Sequence, residues 1–76
     1  MSDKKNYDVK AHFGVIGTKK RKGVTTELQL RKVSWFGSAP MWDIREWDPD
    51  DNPGKGITLN DEMMRTLIDI LSSIEL

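Results

Sequence analysis

Four consecutive cations, Lys19-Lys20-Arg21-Lys22, and the pair Arg45 and Trp47, two positions apart, are the residues best equipped for binding chemistry. Adjacent like charges repel unless something neutralises them. Phosphates do so, and each contact adds salt-dependent affinity through counterion release. A solvated hairpin tip is the simpler alternative for such a run. An exposed Trp beside an Arg adds a second signal, because unpaired bases stack on an aromatic ring for about 1–3 kcal/mol each while cations follow the backbone. A duplex keeps its bases stacked, so the combination points to single strands. The competing arrangement packs Trp47 under the loop that follows it and needs no ligand.

Other constellations fail. Asp48, Asp50 and Asn52 have the opening spacing of a calcium loop, but Pro53 stands where Gly is needed and Leu59 where a bidentate Glu is needed. Gly54-Lys55-Gly56 is too short for a phosphate-binding glycine loop and leads into a strand instead of a helix. Cysteine is absent and histidine occurs once, at position 12, so no metal site forms from those ligands. His12 falls on the polar side of a strand, as a surface or nucleic-acid-facing group. Ser34 has no assignable base. The reading is therefore of no catalytic residue, no metal, no cofactor, no small-molecule substrate and no enzyme.

The 76 residues fit one small domain, and 37% hydrophobic content gives it a thin core. Without disulfides or a metal, such a chain calls for a partner subunit. Twelve basic side chains balance twelve acidic ones, yet position matters more than the sum. Residues 1–35 carry nine basic against three acidic side chains, a net of +6; residues 36–76 carry the reverse, a net of −6. No apolar run reaches the roughly 18–20 residues of a membrane span, and the start lacks a signal-peptide core. No membrane partner and a cytoplasmic location are the expectations.

The elements that must hold these groups follow from periodicity. Residues 1–8 are polar and read as a flexible tail, with the domain spanning 9–76. From Val9 the odd positions Val9, Ala11, Phe13 and Val15 are apolar, a half-buried strand. Gly17 to Gly23 reads as a Gly-bounded basic loop at a hairpin tip. The next strand starts near Val24, where Leu28 and Leu30 set one phase and Val33 and Trp35 the other; a bulge at Arg31 and Lys32 accounts for the slip. Gly37 to Pro40 makes a turn. Met41 to Trp47 reads as a third strand with Trp42 and Ile44 on one face and Asp43, Arg45 and Trp47 on the other. Trp35 and Trp42 read as core. A Pro- and Asp-rich turn over 48–54 precedes a short fourth strand, Ile57 to Leu59.

Asn60 is a good N-cap for a helix from about Asp61 to Ile74, with Asp61 and Glu62 favourably placed in its first turn. Met63, Leu67, Ile70 and Ile74 form one apolar stripe and Met64, Ile68 and Leu71 a second beside it. One stripe suffices for the sheet and the other is left for a second copy, with Met64, Leu67, Ile68 and Leu71 as the dimer interface. A strongly curved sheet that wraps both stripes in a monomer is the alternative. The expected class is α+β: a curved four-stranded antiparallel sheet followed by one C-terminal helix, with one sheet face left open to solvent or ligand.

Asp43-Ile44-Arg45-Glu46-Trp47, the Pro53-Gly54 turn and Lys55-Gly56-Ile57-Thr58-Leu59-Asn60 together resemble the positive-cofactor-four family of transcriptional coactivators. Lys22-Gly23, Glu27-Leu28 and Val33-Ser34-Trp35 are similar to its small bacterial, YdbC-like branch. The resemblance covers about residues 9–74. It implies the ββββα fold, a homodimer built through the helices, and a sheet surface that binds single-stranded DNA without strong sequence preference. In that pattern Arg45 and Trp47 correspond to the third-strand binding face, and Lys19, Lys20, Arg21 and Lys22 to the backbone-contacting hairpin. Arg31 and Lys32 join them from the second strand. The chain departs from the bacterial pattern in being longer between Glu27-Leu28 and Val33-Ser34-Trp35, and in carrying Val24 where an aromatic is expected. A nucleoid-associated, coactivator-like protein in transcription regulation or DNA maintenance is the implied role, although coactivator activity itself does not come with the fold. Single-stranded RNA binding and a protein-interaction module docking on the transcription machinery stay open beside single-stranded DNA.

Overall fold

The computed structural model describes residues 6–76. Four strands form one antiparallel sheet in sequence order, β1 (Tyr7–Arg21), β2 (Val24–Trp35), β3 (Met41–Trp47) and β4 (Pro53–Leu59), and a single helix, α1 (Asp61–Ser72), follows. This is the α+β, ββββα architecture that the periodicity predicts. Of the tail expected over 1–8, residues 1–5 lie outside the described residues. Tyr7 and Asp8 belong to β1.

The basic hairpin is tighter than its sequence suggests. β1 runs through Arg21, so Lys19, Lys20 and Arg21 are strand residues, not loop residues, and Arg21 pairs with Val24. The turn is Lys22-Gly23 alone, with φ of 48° and 81°. Two successive positive φ values match the twist of a two-residue hairpin, and a Gly at the second position supplies one of them without strain.

The expected bulge lies on the other strand. β2 is continuous against β3, with Arg31 opposite Asp43 and Lys32 opposite Trp42. The register instead slips three times along β1, between Val9 and Ala11, between His12 and Gly14, and between Val15 and Gly17. Each slip gives β1 one extra residue, curves the hairpin and reverses which face the next residue takes. The odd-position pattern of β1 is therefore broken up: His12 reaches Gln29, whereas Phe13 packs on Trp42, 5.2 Å between centroids, on the other face. The change of phase within β2 has a different cause. Leu28 and Leu30 serve one face of the sheet, and Val33 and Trp35 the other.

β4 starts at Pro53, earlier than its apolar core at 57–59 indicates, and carries one extra residue between the Arg45–Gly56 and Trp47–Pro53 pairs. Gly56 lies directly against β3. A Cβ there would sit 2.5 Å from the Ile44 carbonyl oxygen and 2.6 Å from the Arg45 Cβ.

The helix begins as read: the Asn60 side chain accepts from the Met63 amide at 2.8 Å, and Asp61 also accepts from the Trp42 indole at 2.8 Å. It ends at Ser72 instead of Ile74. The Ser72 and Ser73 hydroxyls turn back to the carbonyls of Asp69 and Ile70, each at 2.9 Å, which competes with continuation of the helix. α1 rests on β3 and β4 through half-buried Met64 and Leu67, and none of its residues is fully buried. The most enclosed side chains lie away from it: Val33, Asp43 and Trp47. Replacing Gly56 with Ala is expected to lower stability by about 1–3 kcal/mol, because the backbone of β3 must move to admit the methyl group. Thermal unfolding measures it, and an unchanged midpoint would show that the two strands separate freely there.

Candidate nucleic-acid interface

Strand alternation places Gln29, Arg31, Val33 and Trp35 of β2 beside Asp43, Arg45 and Trp47 of β3, on the face opposite the helix. Two arginine–tryptophan stacks form there. The Arg31 guanidinium carbon lies 3.8 Å from the centroid of the Trp47 ring, and that of Arg45 lies 4.7 Å from the Trp35 ring. Both are within cation–π range. Tyr7 stands between the tryptophans, 5.3 Å from Trp35 and 5.8 Å from Trp47.

Each guanidinium also has a carboxylate. Asp43, with 0% exposure, accepts from Arg45 Nε at 2.8 Å and Nη2 at 3.0 Å, while the Trp35 indole donates to it at 3.2 Å. Arg45 Nη1 completes its set on the Gly54 carbonyl at 2.8 Å. Arg31 donates from Nη2 to Asp51 at 2.8 Å and from Nε to the Gln29 amide oxygen at 2.7 Å. That same oxygen faces His12 Nε2 at 2.8 Å, so His12 is the donor there, and the Gln29 amide nitrogen donates to Glu27 at 2.6 Å. Buried charge is costly unless paired and hydrogen-bonded, and this lattice meets that demand for Asp43 and both arginines.

Of the two arrangements open to Trp47 in the sequence, the structure has the one in which it packs under the following loop. Its ring is 1% exposed, beneath Tyr7 and the Asp48-to-Asn52 loop, instead of standing open for stacking. Its indole Nε1 is buried without a hydrogen-bond partner among the described residues. The loop folds on itself: the Asp48 carboxylate accepts from the amides of Asp50 and Asn52 at 3.0 and 2.8 Å. Among the described residues no group of three or more His, Cys, Asp or Glu side chains could hold a metal ion.

The expected basic surface divides. Lys19 and Arg21 face Glu46, at 3.6 and 3.2 Å, on the helix side of the sheet. Lys20, opposite Thr25, alternates onto the Trp47 side, and Lys22 occupies the turn. Arg31 joins the stacked face, whereas its neighbour Lys32 points the other way, 4.3 Å from the Trp42 ring. The acids of the second half are therefore not segregated from the cations of the first: Glu46 pairs with Lys19 and Arg21, and Asp51 with Arg31.

Sequence reading missed Tyr7, assigned to the tail, and Trp35, assigned to the core. The signal for Trp35 was present, since Gln29, Arg31, Val33 and Trp35 alternate just as Asp43, Arg45 and Trp47 do.

Residues 16–70 match the model of the family described as Transcriptional Coactivator p15 (PC4). The chain belongs to this family. An uncharacterized protein of Treponema pallidum (strain Nichols) is 35% identical over 77 residues, a match spanning 100% of this chain and 87% of the relative. The PC4 match covers both arginine–tryptophan stacks, with Tyr7 and His12 just outside it. Nucleic-acid binding in the general sense comes with membership, and the family is a non-enzymatic one. No helix among the described residues is long and apolar enough to cross a membrane.

Replacing Asp43 with Asn keeps the shape of the fork and removes its charge. Stability is expected to fall by about 3 kcal/mol, since Arg45 keeps its charge without a counter-ion. The urea midpoint should fall with an unchanged slope; an unmoved midpoint would mean that the fork carries no weight.

Proposed function

We propose that this PC4-family chain binds single-stranded nucleic acid, DNA in preference, without sequence specificity and as a homodimer, holding unpaired strands in transcription regulation or DNA maintenance. The observation that carries the reading is the pair of arginine–tryptophan stacks on one sheet face, in a family that binds nucleic acid. Guanidinium groups match phosphate geometry and aromatic rings accept unstacked bases, and neither contact reads base edges. Arg31, Arg45 and half-buried Trp35 form the centre of this surface, Trp47 lies beneath Arg31 and the following loop, and Lys20 and Lys22 extend it toward the hairpin.

Fluorescence anisotropy with an oligo-dT strand should show tighter binding than with a duplex of equal length, and matched RNA oligonucleotides measure the DNA preference. Equal affinity for strand and duplex would overturn the reading. The split of the basic run makes a finer prediction. Lys19 already faces a buried carboxylate, whereas Lys20 does not share it. Lys20→Ala is expected to lower the slope of log affinity against log salt by about 0.7, the value of one phosphate contact on a single strand. Lys19→Ala should change it less, and the reverse order would place the strand on the helix side.

Support for the dimer comes from the helix. Met63, Ile68, Ile70 and Leu71 are each more than half exposed on an amphipathic helix that the sheet covers only in part, and Ile74, just past its end, is exposed as well. A contiguous exposed apolar surface of this kind marks a protein interface. Ile68 and Leu71 are the proposed contacts, with Met64 and Leu67, half-buried where the helix meets its own sheet, at their edge. Light scattering at micromolar concentration should give twice the 8.7 kDa chain mass, with Leu71→Asp reducing it to one chain. A single-chain mass for the unmodified protein would contradict the dimer.

A further inference from the structure

The Asp48-to-Asn52 loop connects two strands that could be joined by a shorter turn, and it lies across the ring best suited to stacking. It is a small structure of its own. The Asp48 amide donates to the Asn52 carbonyl at 3.1 Å and the Asp51 amide to the Asp48 carbonyl at 2.8 Å, in addition to the two amides held by the Asp48 carboxylate. A loop tied within itself can swing without losing its internal bonds.

Its hold on the face is asymmetric. Asp51 Oδ1 accepts from Arg31 Nη2 at 2.8 Å, and the Asp51 carbonyl accepts from the Tyr7 hydroxyl at 3.4 Å, a long contact. The Arg31 side chain is 7% exposed but the Asp51 side chain is 62% exposed. The anion can therefore be replaced from the solvent side while the cation stays in place on Trp47. Carboxylate and phosphate offer a guanidinium the same paired oxygens.

Closure carries a cost at Trp47. Its buried Nε1–H has no acceptor among the described residues, and a buried unsatisfied donor is a standing cost. The turn itself is local: Asp51 takes a φ of 63°, a left-handed conformation that Asp tolerates. A hollow of about 290 Å3 also separates Pro49 and Asp51 from Thr25, Glu27 and Gln29, so the loop does not pack tightly on β2.

We propose that this loop is a gate over the nucleic-acid face, held shut by Asp51 on Arg31 and opened when a phosphate of the bound strand takes the place of the Asp51 carboxylate. The inference rests on the single-strand-binding reading and adds its regulation. Displacing Asp51 lifts the loop from the Arg31–Trp47 stack and leaves the guanidinium in place on the ring to take the phosphate. Free phosphate is opposed by three aspartates, at 48, 50 and 51, whereas a strand is held by the hairpin cations as well.

The test is Asp51→Asn in the full chain, with oligo-dT as the probe. The variant keeps the loop and removes the competing charge. Its affinity is expected to rise roughly two- to fivefold, the worth of a partly exposed ion pair, while its thermal midpoint stays level or falls. A merely structural role moves both in the same direction, downward, and an affinity equal to or below that of the unmodified protein overturns the gate. Carbon-13 NMR of the Asp51 carboxyl group in the unmodified protein gives a second readout independent of how the variant folds. Saturating oligo-dT should move its signal to that of a carboxylate released from Arg31, while the Asp51 and Asn52 amides, bonded within the loop, keep their protection; an unmoved carboxyl signal overturns the gate. Failure of the unmodified protein to bind oligo-dT at low salt overturns the binding reading and the gate together, whereas tight binding with no gain in the variant overturns the gate alone.

Discussion

Two guanidinium groups lie on tryptophan rings on the sheet face opposite α1, and much else in the structure follows from keeping both charges satisfied. A hydrophobic core under the helix would be the simpler way to stabilise a domain of this size, yet the most enclosed residues here include a carboxylate and a tryptophan on the opposite face. Asp43 is fully buried because the Arg45 fork and the Trp35 indole supply its hydrogen bonds. Arg31 is buried because Gln29, Asp51 and the Trp47 ring surround it. Breaking one partner leaves an uncompensated charge, which costs more than the pair contributes. Asp43 is therefore fixed in place by its partners, whereas the exposed Asp51 is replaceable, which is the difference the proposed phosphate contact at Arg31 requires.

The curved hairpin serves the same face. Three extra residues on β1 bend it and bring His12 back to Gln29 after the register has slipped. Close approach of β4 at Gly56 brings the Gly54 carbonyl within reach of Arg45. The helix makes little demand on the sheet and leaves most of its apolar stripe uncovered, on the face opposite the two stacks, as the proposed dimer requires.

Much of this was legible in the sequence for a physical reason. β3 has no register slip against β2, so strict alternation separated Trp42 and Ile44 from Asp43, Arg45 and Trp47. Asn60 and the acids after it marked the start of the helix, because capping depends only on local hydrogen bonds. What could not be read depends on long-range pairing. The bulges of β1 were misplaced onto β2 because a change of apolar phase looks the same whether a strand slips or both its faces are buried. The burial of Trp47 depends on Asp51 reaching Arg31, twenty positions away. The basic run was divided by Glu46, whose side chain meets Lys19 and Arg21 only after the hairpin closes.

The central claim is that the face bearing the two arginine–tryptophan stacks receives the strand. Mapping chemical-shift changes in isotopically labelled protein during titration with oligo-dT tests it most directly. The account predicts that the largest changes fall on the indole signals of Trp35 and Trp47 and the guanidinium signals of Arg31 and Arg45, with Trp42 little affected. Changes centred on Trp42, Lys32 and the exposed side of α1, with the Trp35 and Trp47 signals unmoved, would contradict it.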